Sequence, residues 1–245
     1  EGFIVSANQQ LPVELLPDPA LVISHEWAPK ARHDRISQLL QTQIASGTPF
    51  SLEQMRHIQG DRIDLSALAL LPKLQAVQAT TPRETAALTE LAHWQGEFAA
   101  DSVGATLFAT WAYNLKQELF GNLQNVGWQR PGKENLIGSA IDRMDWFRLS
   151  DALAGGDWCQ PNQSSPCAGE LQRSLANSLK QLDKITGSSD PQQWRWGELI
   201  TTEFIHQPFG RVKGMEGLFN RKLHAGASPN SVNAANMQFD ALKGF

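Results

Sequence analysis

Between Leu107 and Leu119 the large apolar side chains fall at Leu107, Phe108, Trp111, Leu115 and Leu119. Steps of three and four residues bring all of them to one side of an α-helix, because neighbouring turns align i, i+3, i+4 and i+7. Asp101 or Ser102 stands just upstream, where a short oxygen-bearing side chain caps the first free N–H groups of a helix. A second stripe runs through Leu171, Leu175, Leu179 and Leu182 and stops before Gly187. Each stripe must be buried against another element. A chain with two of them is therefore constrained towards helix packed on helix, a mainly α architecture.

Further start and stop signals agree with this reading. Ser51 and Gln54 form an S-x-x-Q capping box, predicting a short helix through Gln59. Thr81, Pro82 and Glu84 supply an N-cap, a proline at the first helical position and a capping acid, for a helix reaching about Trp94. LSALALLPKLQAV reads as a helix that Pro72 bends or divides. Ile36, Leu39, Leu40 and Ile44 predict another over Lys30 to Ala45, closed by Gly47. A looser stretch from Gly121 to Glu134 precedes a helix expected near Leu136 to Leu153.

The ends read differently. Gly2 to Ala7, with Phe3, Ile4 and Val5, is predicted as a strand ending at Asn8-Gln9-Gln10. Pro12, Pro17, Pro19 and Pro29 make Leu11 to Pro29 an extended connector. After Trp194 the periodicity fades, Pro208 to Asn230 reads as loop, and SVNAANMQF is a weak strand candidate. With no internal repeat and no low-complexity linker, residues 1–245 are expected to form a single mostly helical domain.

The formal charge is −4 with acids and bases interleaved, and the one modest basic cluster (Arg211, Lys213, Arg221, Lys222) is spread through loop-like sequence. Nucleic acid is not an expected partner. No apolar run approaches the roughly 18 residues that span a bilayer, so the chain reads as soluble. Glu1 reads as a processing or cleavage boundary, since the opening lacks both an initiator Met and the pattern of a secretory signal. Cys159 and Cys167 lie eight residues apart across a Pro-, Asn- and Ser-containing loop, a spacing that suits a local disulfide and an oxidising compartment. Two unpaired buried thiols are the alternative. No nearby His favours zinc.

Complete catalytic signatures are missing. There is no G-x-S-x-G, H-E-x-x-H, Walker loop or G-x-G-x-x-G. His25, His33, His57, His93, His206 and His224 are scattered without ligand spacing. Carboxylate pairs such as Asp142/Asp145 and Glu90/Glu97 are common on solvated helix faces.

The order of segments is more informative. A strand ends at Asn8; WAPKARHDRISQLL follows, then LEQMRHIQGDRIDLSALALLPKL, WQGEFAADSVGATLFATW, the Cys pair, WRWGELITTEFIHQPFG and SVNAAN. This series resembles the penicillin acylase family of N-terminal-nucleophile amidohydrolases, over the middle part of that family's large β subunit and nearly all of this chain. The resemblance implies the helical portion of an αββα fold, with one or two core strands here. It implies hydrolysis of a linear acyl amide by a Ser freed through self-cleavage, whose own α-amine serves as base.

Residue by residue, GFIVSANQQ looks like the strand ending in the family's oxyanion-hole asparagine, which places that role on Asn8. An uncharged amide suits it, because its NH2 donates without disturbing the neighbouring amine. In the W-x-x-x-x-R of Trp27 to Arg32, Arg32 resembles the active-site arginine, a permanent cation that would hold polar groups and keep the α-amine basic in function. Arg35, one turn on, is the fallback in a shifted register.

The departures are specific. Ile200 stands where relatives commonly have His in WGELI, and GASPNSVN replaces a Gly-Gly-Asp-type turn. Leu21 occupies the slot of a calcium-ligand aspartate, so no cofactor is expected from residues here, although the intact protein could carry a structural calcium. No Ser-Asn-x-Trp nucleophile motif occurs, so the chain by itself is expected to be inactive. Expected partners are the remaining segments of its own precursor (α subunit and the N-terminal part of the β subunit) and a small-molecule amide, in a periplasmic or secreted setting. The alternative is a non-catalytic helical binding or scaffold module of acylase-like descent.

Overall fold

The computed structural model describes residues 2–18, 24, 27–125, 141, 144–155, 157–159, 167–224 and 226–234. Among these, the chain is mainly helical. Its main helices are α1 (Ala31–Ala45), α2 (Leu52–Gln59), α3 (Leu65–Gln75), α4 (Pro82–His93), α5 (Val103–Phe120), α6 (Trp146–Gly155) and α7 (Ala168–Thr186). A single turn, Trp196–Leu199, leads into a two-stranded antiparallel hairpin of β1 (Thr201–Phe204) and β2 (Arg221–His224).

The start signals work as their chemistry requires. Ser51 and Thr81 each accept from the backbone N–H of the third helical residue, while Gln54 and Glu84 reach back to the cap. Of the two candidates upstream of α5, Ser102 is the cap, accepting from the Ala105 N–H. Asp64 caps α3 through the Ser66 and Ala67 N–H groups. Pro72 lies within α3 without dividing it.

Helix α5 is the centre of the core. Its stripe packs against α7, where the Trp111 indole N–H donates to Ser174 Oγ at 2.8 Å and to the Leu171 carbonyl at 3.2 Å. Leu171, Leu175, Leu179 and Leu182 are all buried, so the second stripe meets the first. Around one end gather Trp94, Phe98, Phe108, Trp146 and Trp196, with the Phe98 ring stacked on Trp146 at 5.4 Å. Gly104 permits this: a Cβ there would lie 2.6 Å from Trp94 Cγ. Cys159 and Cys167 form a disulfide, with Cα atoms 4.9 Å apart, at the entry to α7.

The structure corrects or qualifies four sequence expectations. Among the described residues Gly2 to Ala7 is not a strand of a sheet, because no described segment offers it a ladder; Ile4 is 97% exposed, and the nearby pairing is a parallel bridge between Gln9 and Ala28. The helix expected near Leu136 to Leu153 is described from Trp146 to Gly155, and most residues before it lie outside the described set. The hairpin arose where only loop was expected: β2 is exposed along its length, so it carries no burial alternation to read. The weak strand candidate SVNAANMQF begins as bends at 231–233 and then passes outside the described residues.

Two measurements probe this core. Gly104→Ala should lower unfolding free energy by about 1–3 kcal/mol, since Trp94 must move; urea denaturation monitored by Trp fluorescence reads it, and an unchanged midpoint would refute the close packing. Burial opposes ionisation of Glu84, but donors from Thr80, the Gln172 side chain and the Thr81 N–H more than offset it, holding its carboxyl below the usual range. The unfolded chain therefore binds this proton more tightly. The stability advantage over Glu84→Gln should be full above the ordinary glutamate pKa and should disappear as pH falls through the lower folded value.

Candidate functional site

The neighbourhood of Asn8 is built by a backbone reversal. Asn8 has φ +63°, the left-handed region that Asn tolerates better than most residues because its short amide bonds locally. The turn is held on one side by the Ala7 N–H donating to Gln9 Oε1 at 2.8 Å. On the other side the Ala28 N–H donates to the Asn8 carbonyl at 2.9 Å, so the segment entering α1 lies beside Gln9.

This brings the two sequence-predicted residues together. Arg32, in the first turn of α1, donates from Nη2 to Asn8 Oδ1 at 2.9 Å and to the Ala7 carbonyl at 3.1 Å. Asn8 is exposed and Arg32 half-buried. With Oδ1 accepting from the guanidinium, the NH2 end of the Asn8 amide is the end left to donate. An arginine occupying the acceptor end fixes which way the amide points, and makes Nδ2 a directed donor.

Arg35, the fallback in a shifted register, does not reach Asn8. It forms a bidentate pair with Asp61, Nε to Oδ1 at 2.9 Å and Nη2 to Oδ2 at 2.7 Å. The Asp61 carbonyl accepts from the Asn233 N–H at 2.8 Å, and Oδ1 also accepts from the Ile63 N–H at 3.3 Å. Sequence reasoning did not single out Asp61. Its partner is 26 positions away on another element, and no local pattern marks such a contact.

Three residues beyond Asp61, the Asp64 carboxylate is fully buried. Besides capping α3, it accepts from the Ser66 and Ser228 hydroxyls. Burial raises its pKa, and these hydroxyls with the Ser66 and Ala67 N–H groups only partly offset that. A sequence signal did exist here: an Asp immediately before LSALALL is a preferred N-cap residue. Ser228 could not have been found, because it lies 164 residues further along the chain. The backbone at 96–100 lines this junction. Asp64 N–H donates to the Gly96 carbonyl, Phe98 N–H to the Arg62 carbonyl, and Gly197 N–H to the Ala100 carbonyl. Gly226 fits against it, because a Cβ would come within 2.3 Å of the Phe98 carbonyl oxygen.

Leu21, at the slot named for a calcium ligand, lies outside the described residues. Among the described residues, no group of three or more His, Cys, Asp or Glu is placed to hold a metal ion. Ile200 is buried in the core, as an aliphatic side chain at that position should be. A cavity of about 570 Å³ between α3, α6 and α7 shares no residue with the Asn8 neighbourhood. Among the described residues, no helix is long and apolar enough to cross a membrane.

Among curated proteins, no sequence matches closely enough to place the chain beside an individual relative. The family description Penicillin amidase, however, matches residues 1–244. A match over almost the whole length, on a chain whose helices follow the segment order read above, places it: the chain belongs to the penicillin amidase family.

Proposed function

We propose that the intact protein hydrolyses a linear acyl amide, with Asn8 as an oxyanion-hole donor and Arg32 as the residue that orients it. Family membership supports amide hydrolysis. The observation supporting the site assignment is the 2.9 Å hydrogen bond from Arg32 Nη2 to Asn8 Oδ1, which occupies the acceptor end of the amide and leaves its NH2 to donate.

The chemistry runs through a nucleophile outside this chain. The hydroxyl of an N-terminal Ser adds to the amide carbonyl carbon while its α-amine accepts the hydroxyl proton. The carbonyl π electrons move onto oxygen, and Nδ2 of Asn8 donates to that alkoxide. A fixed neutral donor stabilises the developing charge without reorganising at the moment of reaction. Collapse expels the amine, which takes the proton back from the α-ammonium, and water then cleaves the acyl ester. The guanidinium of Arg32 keeps Oδ1 occupied, so the amide cannot rotate its acceptor towards the alkoxide.

In this reading the helices described here flank an αββα core completed by other precursor segments, and residues 1–245 act as one unit within it. The disulfide fits a periplasmic or secreted protein. The fragment alone is inactive. Exposed Ile4, Leu15 and Leu52 fit apolar contacts with those other segments.

In the intact protein, Asn8→Ala should fold and self-process normally while kcat falls about 100- to 1,000-fold, the usual effect of losing one oxyanion donor. Initial rates on p-nitroanilides bearing phenylacetyl, hexanoyl and dodecanoyl groups measure this, and near-normal turnover would remove the assignment. Arg32→Ala should lower kcat less, by about tenfold or more, because the donor remains but is no longer held. Mass spectrometry of the full-length product provides a separate check. Two chains with a new N-terminal Ser are expected, and one uncut chain favours a scaffold role.

A further inference from the structure

Helix α1, which carries Arg32, is not held by the apolar core. Ala31 is its one buried residue, and Ile36, Leu39, Leu40 and Ile44 are half-buried or exposed. Its first turns are fixed by polar contacts instead. One set is the Asn8 turn itself. The other is the Arg35–Asp61 pair, whose side chains are only 19% and 12% exposed, so it is shielded from water in a way that surface ion pairs are not. Both nitrogen–oxygen contacts are short, and a planar fork meeting a carboxylate fixes direction as well as distance.

Asp61 is itself anchored on two further sides. Its carboxylate accepts from the Ile63 N–H at the approach to α3, and its carbonyl accepts from the Asn233 N–H of the C-terminal turn. That turn is in turn tied to the buried Asp64 through Ser228. The position of α1 is thus referred, through one carboxylate, to the buried polar junction around Asp64.

We propose that Asp61 is a positioning residue for amide hydrolysis: by gripping Arg35 while anchored to the α3 approach and the C-terminal turn, it sets the placement of Arg32 and so the aim of the Asn8 amide. This rests on the oxyanion reading above. Arg32 and Arg35 share one face of α1, a single turn apart, so a rotation or slide of the helix that loosens one displaces the other. A 1 Å misplacement of a catalytic donor is enough to cost up to about 100-fold in rate.

The test is a double-mutant cycle in the intact amidase, using the same three p-nitroanilides, with amide hydrogen exchange at Ala28. That N–H bonds the Asn8 carbonyl and reports the join between the turn and α1. Asp61→Asn should lower kcat about tenfold or more with KM changed less than about twofold. In an Asn8→Ala background the same substitution should cost no further activity, because the donor it aims is gone. Ala28 exchange should accelerate in Asp61→Asn and in Arg35→Lys, which keeps the charge but loses the fork. Arg35→Lys also serves if Asp61→Asn does not fold.

Equal losses in both backgrounds would mean a merely structural residue and overturn the proposal, as would wild-type kcat in Asp61→Asn. Should Asn8→Ala itself retain full turnover, the oxyanion reading fails. Ala28 exchange then judges the latch separately, and unchanged protection in Asp61→Asn and Arg35→Lys overturns it.

Discussion

Helix α5 is buried along fourteen of its eighteen residues, polar Thr106 and Thr110 included. A helix enclosed to that degree must find neighbours on several faces, and the fold is largely the set of elements that provide them: α4, α7, the Trp196–Leu199 turn and the aromatic cluster at 94–98. The helix also demands small residues where backbones or rings come close, as Gly104 does under Trp94. Its one indole N–H finds partners on α7 rather than remaining unpaired in the core, which fixes the relative rotation of the two longest helices.

Against that apolar centre, the end around Asn8 is assembled differently. The Asn8 turn, the start of α1, the Asp61–Ser66 segment and the 226–233 turn are joined mainly by hydrogen bonds and one shielded ion pair. Such joints are directional. They suit the role proposed for Asn8, in which one amide points one way to within a fraction of an ångström and apolar packing would tolerate slippage. Asp64 illustrates the balance: its burial is unfavourable to ionisation, yet the serine hydroxyls and N–H donors around it leave neither oxygen without a partner.

The two halves also differ in how completely they are enclosed. The apolar stripes of α5 and α7 bury each other. The α1–α2 end leaves Ile44, Phe50, Leu52 and Met55 exposed, and the hairpin exposes Phe204, Leu218 and Leu223. In the proposed reading these are the parts that other precursor segments would cover. The two parts differ in how they read as sequence: α1 and α2 were legible from the Ile36 to Ile44 spacing and the Ser51–Gln54 capping box, whereas the hairpin was not. An apolar stripe is legible where the element is buried on one face, as in α5 and α7, and β2, exposed along its length, carries none.

What the sequence determined alone was local. Capping boxes at Ser51 and Thr81, the Ser102 cap, the apolar stripes of α5 and α7 and the stop at Gly187 are short-range devices, each complete within a turn or two of helix. The pairing of Asn8 with Arg32 was reachable only through resemblance of segment order, because nothing within either segment refers to the other. Tertiary structure decided what depended on distant neighbours. Among the described residues it gave Gly2 to Ala7 no sheet to join, placed a hairpin whose second strand is exposed without alternation, engaged Arg35 with Asp61 instead of Asn8, and brought Ser228 to Asp64. Contacts between residues far apart in the chain leave no periodicity behind, and only the folded backbone brings their side chains within hydrogen-bonding reach.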